Sequence, residues 1–363
     1  MAQVLKLSPI ASLAPARQAA DLAVGARLDW VDAAKGVGIL LVVVGHAIGG
    51  LMEGGIEPKT GWFRPLLLVL YFFHMPLFFF LSGLFFPHRL GAGGADVARR
   101  AMTGIVWPYF LWCSVQILVV YAAADLVNAP GTDLGGAFVG MLFTWPPGQF
   151  WFLYVLFVVQ VVAALALPVI GATGLLAVSL ALCLAKPEGL PLVFSMGLTM
   201  LPFFALGGFV GARGWLASPA PLSRAQAAGA IGVAAAVTWP TFGHSVAAVG
   251  AARFDDLRTI DIAMLAWSQA AIPAAVTGIA AVVAVAAAMR GRLRAAFAYL
   301  GRRSMAIYLL HILALAGTRI VLVKGFGVSD PDILIILVAV GVGAPVIAAE
   351  LARRYGVARI LAL

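Results

Sequence analysis

Read by hydrophobic and polar position, the chain is a succession of apolar runs, each near the length of a membrane-crossing helix. A bilayer core takes about 20 apolar helical residues. Runs near that length fall at 31–52, 66–86, 103–124, 150–169, 172–186, 193–212, 226–243, 262–289, 304–323 and 333–352. The fifth is short and follows closely on the fourth. A further apolar stretch over 134–146 is too short to cross and is expected to lie at the interface or fold back inward. The pattern predicts an all-α integral membrane protein of about ten transmembrane helices. One domain over 30–355 has no internal repeat and is flanked by short tails at 1–29 and 356–363.

Composition agrees with the pattern. Only 11% of the 363 residues are charged and 63% are hydrophobic, with a mean hydropathy of +1.03; soluble domains carry about a quarter charged residues. A net charge of +9 would suggest nucleic acid in a soluble protein, but here it reflects orientation, and no nucleic-acid partner is expected. With a cytoplasmic N-terminus and ten alternating spans, sixteen of the 24 Lys and Arg residues fall inside and six outside, with Lys35 and Arg319 within spans. That is the bias of the positive-inside rule, and it makes both termini cytoplasmic. The opening residues lack the unbroken apolar core of a signal peptide. Cys113 and Cys183 both lie in apolar spans, so neither a disulfide framework nor a metal site is expected.

Ionisable groups inside a membrane cost about 2.5–3.5 kcal/mol each on insertion scales and mark functional sites. The run "KGVGILLVVVGH" places Lys35 and His46 eleven positions apart. At about 100° and 1.5 Å per residue they share one helix face, roughly 20° apart in azimuth and about 16 Å apart along the axis. Asp32, one turn before Lys35, can pair with its ammonium. Glu53 extends the stripe two turns beyond His46. A snorkelling lysine with a packed histidine fits this spacing as well as a functional pair does. In the second span, "YFFHMPLFFFLSGLFF", Pro76 predicts a kink beside His74, and Ser82 and Gly83 allow close approach of another helix. Alone, His74 reads as structural. No paired-histidine metal motif, phosphate-cradling glycine loop or glycine-flanked serine elbow occurs. What remains, a buried histidine with a basic helper, suits general-base activation of a hydroxyl. A proton-coupled transporter, or an export partner in polysaccharide assembly, is the competing reading of the same stripe.

Five blocks together carry a resemblance: "RLDWVDAAKGVGILLVVVGH", "FFHMPLFFFLSGLFF", "WPYF" at 107–110, "FWFLYVLF" at 150–157 and "LGRRSMAIYLLH" at 300–311. In this order the chain resembles the acyltransferase-3 family, in particular its fucose-4-O-acetylase-like branch of polysaccharide O-acetyltransferases. The resemblance implies a ten-span enzyme of the bacterial inner membrane with no tightly bound cofactor. It implies cytoplasmic acyl-CoA, most simply acetyl-CoA, as donor and a carbohydrate or glycan hydroxyl as acceptor, and says nothing of oligomeric state. It puts His46 at the chemistry with Lys35 supporting, where many members carry arginine. His74, Trp151, Glu53 and Ser82 become substrate-binding candidates, Trp151 with an interfacial anchor as its alternative. Arg99 and Arg100 stand where the family places a donor-engaging basic cluster, although Met102 and Thr103 interrupt the usual arrangement. Arg302 and Arg303, with the basic stretch 290–294, are weaker donor-phosphate candidates. His311 also matches and is assigned to helix packing.

Overall fold

The structure, a computed structural model, describes residues 28–126, 133–215 and 222–363; the expected N-terminal tail, apart from its last two residues, lies outside them. Every regular element among the described residues is helical. Eight helical segments there are long and apolar enough to cross a bilayer: Asp29–Glu53, Phe63–Ala92, Gly94–Ala122, Leu134–Ala185, Leu192–Ala212, Gln269–Ala288, Ser304–Gly325 and Ile333–Arg354. Large apolar side chains such as Phe143, Leu165, Val169 and Ile335 stay exposed on the outside of the bundle, as a lipid-facing surface requires. The protein is an all-α membrane protein.

Four expected spans differ from the pattern reading, each for a local reason. Spans 150–169 and 172–186 form one helix, Trp151–Ala185, broken at Gly171 with φ 66° and ψ 177°. Only glycine enters that region without steric cost, and Pro168 just before it removes a helical hydrogen bond. Span 226–243 lies within the 26-residue helix Arg224–Val249, long enough to cross but diluted by Gly, Thr and His below the apolarity of the other eight. Span 262–289 divides into Thr259–Ala266, a 3₁₀ turn at Gln269–Ala271 and Ile272–Ala288. Pro273 at the second position of the last helix favours a start there rather than continuation. The stretch 134–146 gives the ten-residue helix Leu134–Phe143, about 15 Å long and too short to cross. A 3₁₀ turn, Gly148–Phe150, follows it and buries Gln149 and Phe150 in the bundle.

The elements that build the interior are α1 (Asp29–Glu53), α2 (Phe63–Leu84), α3 (Trp151–Ala185), α4 (Leu192–Ala212), α5 (Ile272–Ala288), α6 (Gly291–Arg302), α7 (Ser304–Ile320) and α8 (Ile333–Arg354). Helix α1 packs against α2, α5, α6, α7 and α8, and so runs through the middle of the bundle. Lipid tails are as apolar as Leu, so helices in a membrane associate through van der Waals fit, and small residues permit that fit. Two seams use it. A Cβ on Gly36 would stand 2.0 Å from the Phe297 carbonyl, and one on Gly301 1.7 Å from that of Asp32, so α1 and α6 touch backbone to backbone. Along α2 and α4, Gly83 meets the Phe204 carbonyl and Gly207 that of Phe80, each with 2.0 Å for a Cβ. The close approach expected at Ser82 and Gly83 is therefore made by Gly83.

Candidate active site

Helix α1 is continuous from Asp29 to Glu53, so the predicted stripe of Asp32, Lys35, His46 and Glu53 holds in three dimensions. Its middle meets two other helices. His311 of α7 brings its ring to 5.0 Å from that of His46, centroid to centroid, at an interplanar angle of 53°. His74 of α2 stands near enough to His46 for the two to interact electrostatically. Both neighbours are buried, whereas His46 keeps some accessible surface. Both are also oriented by their own helices. The Nδ1 of His74 bonds the Leu70 carbonyl at 2.7 Å, and the Nδ1 of His311 bonds the carbonyls of Ile307 and Tyr308 at 3.0 and 2.8 Å. A carbonyl only accepts, so each Nδ1 carries the proton and each Nε2 is left as a lone pair in the single-proton ring.

An aromatic ladder leads away from His74. Its ring lies 4.9 Å from Tyr71, Tyr71 stacks on Trp267 at 6.3 Å, Trp267 meets Trp151 at 4.7 Å, and Trp151 stacks on Trp145 at 6.2 Å. Trp267 is held in place by its indole N–H, which donates to the Tyr71 carbonyl at 3.1 Å. Trp151 is buried within this ladder. Trp267 also lines a cleft with Phe72, Pro76, Lys186, Thr199 and Gln269. On the other side of the cluster, the buried side chains of Gln116 and Gln149 exchange amide hydrogen bonds at 3.2 and 2.9 Å. The Tyr308 hydroxyl donates to the Gln149 carbonyl. The inward turn at Gly148–Phe150 thereby fixes α7 one turn before His311.

The two ends of α1 carry charge. At the Glu53 end, Arg319 of α7 donates to the Gly50 carbonyl at 2.8 Å and interacts electrostatically with the exposed Glu53. At the Lys35 end, buried Asp32 forms an ion pair with Arg302 at 3.9 Å. Arg303 pairs with Glu350, which Arg353 also engages, and stacks over Tyr299 at 3.8 Å. Arg99 and Arg100 both pair with Asp96 on an exposed helix. Ser82 lies two turns beyond His74 toward the Lys35 end and is not drawn into the cluster. Among the described residues no three His, Cys, Asp or Glu side chains gather as metal ligands.

Within the site, His46, His74 and His311 come together, and Trp151 joins them through Trp267 and Tyr71. The sequence reading assigned His311 to helix packing, counted Arg319 only as a charge within a span, and did not single out Trp267 or Tyr71. For α7 a signal was present: His311 and Arg319 are eight residues apart, two turns on one face, at a spacing that matches His46 and Glu53 on α1 to within one residue.

A family model described as an acyltransferase domain matches residues 28–350. The chain belongs to the acyltransferase-3 family. The matched region contains every residue of the histidine cluster and the aromatic ladder. The chain is also 30% identical over 134 residues to the nodulation protein NolL of Mesorhizobium japonicum, a stretch amounting to 35% of this chain and 32% of that relative. The match thus covers about a third of the relative's length. No solved structure matches.

Proposed function

We propose that this acyltransferase transfers an acyl group, acetyl foremost, from cytoplasmic acyl-CoA to a hydroxyl of a carbohydrate or cell-surface glycan, with His46 as general base. The observation that carries the reading is the position of His46. It lies inside a membrane bundle with accessible surface, between two imidazoles whose tautomers are fixed by backbone carbonyls. In the reaction, a nitrogen of His46 takes the acceptor hydroxyl proton as the oxygen attacks the thioester carbonyl carbon. The C–O bond forms, the tetrahedral intermediate collapses, and the C–S bond breaks. The leaving thiolate takes the proton back from the imidazolium, giving free coenzyme A and the ester and restoring His46. The Lys35 end of α1 is then the donor side. There an ammonium about 16 Å from His46 along the axis suits the phosphates of coenzyme A, with Arg302, Arg303, Arg99 and Arg100 nearer the surface. The aromatic ladder suits the acceptor side, because sugar rings present C–H faces that pack on aromatic rings. A bacterial inner-membrane location with both termini cytoplasmic completes the reading, and fits the side on which acyl-CoA is made.

The test is transfer of label. Purified protein in nanodiscs receives acetyl-CoA labelled in the acetyl group and a membrane glycan extract. Label in the glycan, released by mild base as expected of an O-ester, supports the reading. Acyl-CoA left intact with every glycan fraction, and with succinyl-CoA as well, contradicts it.

A further inference from the structure

We infer that His311 is the positioning residue of His46, and that its Nε2 lone pair accepts the N–H of His46 and selects the tautomer whose other nitrogen faces the acceptor hydroxyl. This rests on the reading of His46 as the base. A neutral imidazole has two tautomers, and only one puts the basic nitrogen where the hydroxyl arrives. Of its two neighbouring imidazoles, His311 is the one whose ring is in contact with that of His46 among the described residues. No described residue hydrogen-bonds to His46, and its one ring contact among the described residues is with His311. His311, by contrast, has its proton committed. Two carbonyls hold Nδ1–H, and Nε2 is buried without a partner. A buried acceptor left unpaired is costly and calls for a donor. At 5.0 Å between centroids, a rotation of the His46 ring brings its N–H within hydrogen-bonding range of that nitrogen, about 2.7–3.2 Å.

The surroundings hold His311 for this task. Tyr308, one turn earlier, is tied to the Gln149 carbonyl, and the Gln149 side chain is held in turn by two amide hydrogen bonds with Gln116. Gly148 beside it has φ +60°, and a Cβ on it would stand 2.8 Å from Gln116 Nε2. One turn later, Leu315 packs with Val43 of α1 around Gly341 of α8, where a Cβ would meet the two at 2.8 and 2.9 Å. His311 is thus fixed from both sides relative to α1, while His46 is left to turn. His74 is placed otherwise. Its ring contact is with Tyr71, as the last rung of the ladder.

The experiment reads the tautomer directly. Protein with 15N-labelled imidazoles is studied by solid-state NMR in lipid, with the five histidines assigned by single substitutions. The wild type is compared with His311→Phe, which keeps a ring and loses the acceptor, and with His311→Gln, which places an amide oxygen near the position of Nε2. Thermal midpoints show that both variants fold. The expected result is a single His46 tautomer in the wild type and in His311→Gln, and a mixture in His311→Phe. In the transfer assay, kcat of His311→Phe falls about 100-fold with the acyl-CoA KM unchanged, and His311→Gln recovers at least about tenfold of that loss. Unchanged His46 signals in His311→Phe, or a kcat within about threefold of wild type, overturn the assignment. If the tautomer shifts as expected but wild type transfers no acyl group, the pairing stands and the reading of His46 as the base of this reaction fails.

Discussion

Replacing Gly301 by alanine tests the seam that sets the Lys35 end of α1. A Cβ there would stand 1.7 Å from the Asp32 carbonyl oxygen and 3.0 Å from the Gly36 nitrogen. Real Cβ contacts begin near 3.0 Å, so α6 must move off α1 by roughly 1.3 Å. Neither side can yield by rotating a side chain, because the obstacle is backbone. Overpacking of this kind costs about 1–3 kcal/mol. The displacement also opens the Asp32–Arg302 pair, already 3.9 Å apart, one turn from Lys35. Misplacing a reacting group by about 1 Å costs on the order of 10²-fold in rate, so activity is expected to fall by between ten- and a hundredfold while acceptor KM is unchanged. The unfolding assay is provided by the protein itself. Cys113 and Cys183 are free and buried, and a thiol-reactive dye reports their exposure on heating. Gly232 in the helix Arg224–Val249 is the control, because a Cβ there meets nothing within 4 Å. Gly232→Ala is expected to leave activity unchanged and stability equal or raised by about 0.4–1 kcal/mol. A Gly301→Ala protein with wild-type midpoint and wild-type turnover would refute the backbone-contact reasoning.

Other consequences follow from the same geometry. Trp267→Phe removes the indole N–H that donates to Tyr71 and one rung of the ladder; acceptor KM is expected to rise up to about tenfold with donor KM unchanged, and acceptor titration checks it. An effect on donor KM instead would place the ladder on the wrong side. A double-mutant cycle of Asp32→Asn and Arg302→Gln, followed by thermal unfolding, should give a coupling of about 0.5–3 kcal/mol, and additivity would mean that the pair holds nothing. Lys35→Met is expected to raise the acyl-CoA KM about tenfold, the equivalent of about 1.4 kcal/mol, with Lys35→Arg close to wild type; equal loss in both would tie Lys35 to the helix seam and not to the donor.

How much was legible follows from the range of each signal. The α1 stripe was, because helix periodicity alone puts Lys35 and His46 on one face, and the helix is unbroken. That 134–146 is too short to cross was legible from length, and the helix there has ten residues. The break at Gly171 showed only as two crowded spans, since apolar residues on both sides hide a change of backbone angle. The division of 262–289 was masked in the same way: Trp267 counts as apolar in any hydropathy window, yet it sits in the turn between two helices with its N–H bonded to Tyr71. Most hidden was the meeting of His46 with His311, 265 positions apart in sequence. No local pattern encodes that contact, and a histidine on an apolar face reads as packing until its ring is seen 5.0 Å from another histidine's. The ring contacts of Trp151 with Trp145 and Trp267 were equally hidden, because they join residues from separate stretches of the chain.

The central claim is that His46 takes the proton from the acceptor hydroxyl, and the most direct measurement is coenzyme A release from acetyl-CoA with glycan acceptor by wild type beside His46→Ala at matched folded concentration. Turnover by wild type and a loss of at least about 10²-fold in kcat for the variant are expected, with the acyl-CoA KM little changed. Release that persists in His46→Ala at the wild-type rate would contradict it.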